Sequence, residues 1–137
     1  MNSPQSTQED LEQHVKRLEK EVGQLRRENE ILRNKQQIAE EEVQILQSVL
    51  NSIPDVVGIQ LSDHTVLRYN RAGYEFVDLE PDQIGEKKCF ELIGRTSPCV
   101  PCATTDALKS KSKAEHELYF PELGKYLNCR ATPVLDQ

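Results

Sequence analysis

The first fifty residues contain no aromatic side chain, no cysteine and a single glycine, Gly23. A stretch without those bulky, readily buried residues has little from which to build a compact core, so the folded domain is expected in the remainder. No apolar run approaches the roughly 20 residues that a membrane span requires. Met1 to Asp10 is polar, which excludes a secretory signal with its apolar middle. The chain is therefore expected to be cytoplasmic. Clustered positive charge is also missing. The formal net charge is -6, and the Lys and Arg between Lys16 and Lys35 are interleaved with acids. Phosphate binding needs basic residues gathered on one face, so direct contact with nucleic acid is not expected.

What the first third does contain is a heptad pattern. With Leu11 as a d position, the a and d series runs Leu11, Val15, Leu18, Val22, Leu25, Asn29, Leu32, Gln36, Ala39, Val43, Leu46, Leu50, Ile53, in steps of four and three without a break. A sustained period of 3.5 predicts a left-handed coiled coil over 11–53, roughly 60 Å long at about 1.5 Å per residue. Val at a with Leu at d favours two parallel strands. Asn29, at an a position, pairs with its symmetry mate only when two chains lie parallel and in register, and Gln36 adds a second polar layer. Between g and e positions of opposite chains, Glu21 meets Arg26, Glu28 meets Arg33 and Lys35 meets Glu40, all of opposite sign. Each such pair contributes only a few tenths of a kcal/mol, so their role is choice of partner and register. A homodimer satisfies this pattern by itself. Residues 1–10, ahead of the pattern, are expected to be disordered.

Residues 54–137 read as an α+β domain. Pro54 and Asp55 end the helix, because the proline ring disfavours a helical residue before it and lacks an amide donor. Val56 to Leu61 and Thr65 to Tyr69 have strand composition around a turn at Ser62 and Asp63, and Asn70 can cap a helix through Phe76. Pro81 and Asp82 open another short helical stretch, and Cys102 to Ser110 a further one. Glu115 to Phe120 and Tyr126 to Val134 form a second strand pair around Pro121 to Gly124. The expected fold is an antiparallel sheet with helices on one face.

The segments Leu46 to Ile59, Tyr69-Asn70-Arg71-Ala72, Ile84-Gly85 and Ala131-Thr132-Pro133-Val134, in this order and spacing, resemble the PAS family of bacterial and archaeal sensor proteins. The resemblance covers the chain from Leu46 onward. It implies a domain that senses a ligand or a redox state in a cavity between sheet and helices, joined to a signalling output domain or partner protein, and a coiled coil leading into it fits that family. One departure is large. The family's sheet has five strands with the last one central, whereas this chain ends after what corresponds to the fourth, so the domain is expected to be C-terminally incomplete.

Cys89, Cys99, Cys102 and Cys129 are the candidate site residues. In a cytosolic setting, clustered thiols point to metal or redox chemistry rather than structural disulfides. Four thiolates can ligate zinc or an iron–sulfur cluster. The spacing matches no standard zinc-finger or ferredoxin pattern, so two other readings stay open. Cys102, at a helix start beside Cys99, is placed for a thiol switch, and free cysteine also packs as a small hydrophobe. A thioredoxin-like site is disfavoured because Gly94 to Pro98, ahead of the Cys-Val-Pro-Cys pair, is loop rather than buried strand. His64 at a turn and His116 on a strand bounded by charges are expected to be exposed, and His14 lies in the g row of the coiled coil.

No glycine loop for phosphate, no H-E-x-x-H and no G-x-S-x-G is present. The expectation is a sensory and dimerisation module of a signal-transduction system that is not itself an enzyme. The alternatives are a structural or scaffold coiled-coil protein with a partner-binding domain, and a thiol redox protein acting through Cys99 and Cys102.

Overall fold

The structure is a computed structural model that describes residues 4–135. The chain has one long N-terminal helix followed by short helices and small antiparallel sheets, an α+β arrangement. It divides into two compact units between Leu46 and Gln47.

Helix α1 spans Pro4–Ser52. It is rich in Leu, Glu, Gln, Lys and Arg, all good helix formers, and no proline interrupts it after the first turn. The polar segment ahead of the heptads is helical from Pro4, not irregular as expected for 1–10; residues 1–3 of that segment lie outside the described residues. In the single chain the apolar a and d rows are open to solvent, with Leu32 61% and Leu46 63% exposed. Ile31, Ile38 and Ile45, seven apart, form a further exposed apolar row outside that register.

The last turns of α1, from Gln47, belong to the C-terminal unit, so the boundary falls earlier than the expected 53/54. The cause is Asn70, only 3% exposed. Its amide nitrogen donates to the carbonyls of Leu50, Ile53 and Asp55 at 3.1, 3.1 and 2.8 Å, while its oxygen accepts from the amides of Val57 and Gly73 at 3.0 Å each. One side chain thus satisfies carbonyls left open at the end of α1 and also caps α2. Asn51 reinforces the join by accepting from the amide of Arg71 at 2.9 Å.

Strands β1 (Gly58–Gln60) and β2 (Val66–Tyr69) pair antiparallel, with Gly58 opposite Tyr69. Helix α2 (Arg71–Val77) follows and ends at Asp78 in the left-handed region. Gly73 is needed there, because a Cβ at that position would lie 2.7 Å from Tyr69 Cβ and Cγ. The expected helical stretch after Pro81 resolves into two 3-10 turns, Pro81–Gln83 and Glu91–Ile93. Helix α3 (Ala103–Ser110) starts directly after Cys102 and buries Ala103 and Ala107. Strands β3 (Ala114–Phe120) and β4 (Lys125–Ala131) form the second hairpin, Ala114 opposite Ala131.

The strands do not join into the one sheet that was expected. Among the described residues they form two separate two-stranded sheets, β1 with β2 and β3 with β4. No strand lies between β1 and β4 to bond their outer edges, so each hairpin keeps one edge unpaired. The core is correspondingly small. Val66, Ile84, Phe90, Ala103, Ala107 and Phe120 are its buried apolar residues, which is what a short domain can supply.

Candidate functional site

A cleft of about 700 Å³ opens within the C-terminal unit. The β1 segment lines one side through Gly58, Ile59 and Gln60, and β4 the other through Leu127 and Cys129. All four cysteines contribute to its lining, although they come from four different places in the fold.

Each is positioned by local structure. Cys89 is tied to the first hairpin: its amide donates to the carbonyl of His64 at 2.9 Å, beside an isolated bridge between Thr65 and Lys88. Cys99 sits in the loop before α3. Arg95 anchors that loop through a two-pronged ion pair with Glu122, Nε to Oε1 at 2.8 Å and Nη2 to Oε2 at 3.1 Å. The same guanidinium lies 4.7 Å over the Phe120 ring, and its Nη1 donates to Cys99 Sγ at 3.4 Å. Cys102 is the N-cap residue of α3. Cys129 lies on β4, where alternation places Leu127, Cys129 and Ala131 on the half-buried face.

The electrostatics separate the thiols. Burial pushes the Cys89 thiol up to about 11, and negative charge on Cys102 and Cys99 adds to the rise. Burial likewise raises Cys129, with Cys99 and Cys102 contributing. The mutual influence means that the four sulfurs share one neighbourhood. Tyr69, also in the lining, is raised to about 12 by burial, and then by charge on Cys89.

Two histidines expected at the surface are instead half-buried. His64 occupies the left-handed region at φ 74°, and this turn aims its ring inward. Its Nε2 lies 3.5 Å from Cys102 Sγ and 3.3 Å from Thr105 Oγ1, and the ring meets Phe90 edge-on at 6.0 Å. His116 Nε2 contacts Asp106 Oδ2 at 2.7 Å and ties β3 to α3. No sequence signal marked the approach of His64 to Cys102, because 38 residues separate them.

Among the described residues, no group of three or more His, Cys, Asp and Glu side chains is arranged to hold a single metal ion. No described helix is long and apolar enough to cross a membrane. The chain matches no family model, no curated protein and no solved structure.

Proposed function

We propose that this chain is a sensory and dimerisation module, in which a PAS-type C-terminal domain reads a ligand or a redox state and passes it to a parallel coiled coil. The observation that carries this reading is the gathering of all four cysteines on one accessible cleft. Two supports accompany it. The exposed a and d rows of α1 need a partner surface, and a second copy offers one. The Asn70 clasp joins the end of α1 to the domain that contains the cleft, so a change at the hairpin bears on the helix end. Catalytic output, in this reading, resides on another domain or partner.

Hydrogen exchange on the full chain, fully reduced and after mild thiol oxidation, tests it. Altered protection in Gln47 to Ile53, with the dimer retained, is the expected result. Identical protection in both states, despite verified oxidation of the cysteines and with no response to metals or small ligands, sinks the reading.

A thiol redox protein acting through Cys99 and Cys102 is the second reading, favoured by the 3.5 Å approach of His64 to Cys102. Catalysed reduction of a small disulfide that disappears in Cys102→Ser would select it.

A further inference from the structure

We propose that Cys89, Cys99, Cys102 and Cys129 together ligate a four-iron, four-sulfide cluster in the cleft between the two hairpins. This rests on the reading of that cleft as the sensory site and names what the site holds.

Convergence comes first. A simple thiol pair needs only Cys99 and Cys102, yet Cys89 and Cys129 reach the same cleft from the first hairpin and from β4. Iron–sulfur clusters of this class take four cysteine thiolates. Spread decides between a cluster and a single ion. A zinc–sulfur bond of about 2.3 Å in a tetrahedral site brings the sulfurs to about 3.8 Å from one another, and no three ligands here are so arranged. A cubane cluster carries its ligand sulfurs outside a polyhedron of iron and sulfide, so they stand farther apart while still facing one centre. Four thiols that share a cleft without meeting match the larger group.

The surrounding charge agrees. A four-thiolate cluster is anionic, and its sulfurs are stabilised by donors. Arg95 Nη1 already donates to Cys99 Sγ at 3.4 Å, held in place by its fork with Glu122. His64 Nε2 stands 3.5 Å from Cys102 Sγ. Arg130 and Lys125 add positive charge along the β4 wall, against one acid, Asp55, which pairs with Arg130 at 3.7 Å. Assembly displaces the proton of each thiol as its sulfur binds iron, so four protons leave per cluster.

The test uses the full chain, purified without oxygen and incubated with ferrous iron and sulfide, and in parallel with zinc alone. The expected result is about four irons and about four sulfides per chain, with sulfide-to-iron absorption in the visible. Iron should fall to background in Cys129→Ser, a position that adventitious binding at the Cys99/Cys102 pair would not require. Because that variant could fail to fold, cysteine alkylation is mapped on the wild-type chain as well: all four thiols should be protected only in the loaded form. Zinc bound at about one per chain in preference to iron, iron without sulfide, a colour that survives Cys129→Ser, or four freely alkylated cysteines after incubation would each overturn the proposal. If the cluster fails but oxidation still alters protection at Gln47 to Ile53, the sensory reading stands without it. If neither is seen, both fall.

Discussion

Asn70 Nδ2 donates to the carbonyl of Leu50 at 3.1 Å, across 20 residues of sequence. Through this contact and its companions at Ile53 and Asp55, the first residue after β2 finishes the hydrogen bonding of α1. The end of the long helix is therefore defined by the domain that follows it.

Replacing Asn70 with Ala leaves several buried backbone groups without partners and should destabilise the C-terminal domain by about 2–3 kcal/mol. Asn70→Asp keeps the acceptor for Val57 and Gly73 but turns an oxygen toward three carbonyls, so it should be no better than Ala. Urea denaturation followed by circular dichroism, with hydrogen exchange at 47–57, measures both. Wild-type stability in Asn70→Ala would refute the clasp.

Gly73 faces Tyr69 at a distance that admits no Cβ. A helical glycine replaced by alanine usually gains up to about 1 kcal/mol. Here the methyl would press on Tyr69 Cβ and Cγ, atoms that cannot swing away, and overpacking of this kind costs about 1–3 kcal/mol. Gly73→Ala should thus lower stability, and a higher melting temperature would show that α2 can shift.

The Cys89 thiol, raised from an ordinary 9.0 to about 11, makes stability depend on alkaline pH. The unfolded chain releases this proton near pH 9 while the fold retains it, so the contribution is complete below about pH 9 and is lost as pH rises to about 11. Tyr69, raised to about 12, adds a loss of the same sign at still higher pH. In the reduced, metal-free chain, urea midpoints should fall between pH 9 and 11, and Cys89→Ala should flatten that part of the curve. An unchanged slope in the variant would remove Cys89 as the cause.

Sedimentation equilibrium should find a dimer. Leu25→Lys with Leu32→Lys places charge in the proposed seam and should yield monomers, whereas Ile38→Lys, outside the a and d rows, should leave the dimer intact. Asn29→Val should raise thermal stability while admitting other assembly states, because the polar layer trades stability for register. Dissociation by Ile38→Lys would place the contact on the Ile31, Ile38 and Ile45 row instead.

The amino-acid sequence by itself determined whatever depends on near neighbours. The span of α1, its end at Pro54, the cap at Asn70, both hairpins and the start of α3 at Cys102 all follow from heptad spacing, proline, turn residues and capping chemistry, which act within a few residues. Three features were decided by tertiary structure alone. His64 reaches Cys102 because a left-handed turn and the Cys89 bond aim its ring inward. Asn70 serves two helices because α1 ends against α2. The hairpins remain separate because no strand bonds the edges of β1 and β4, and Cys129 meets the other thiols in the cleft left between them. Spacing along a chain constrains short-range geometry, whereas the approach of residues dozens of positions apart is set by how whole elements pack.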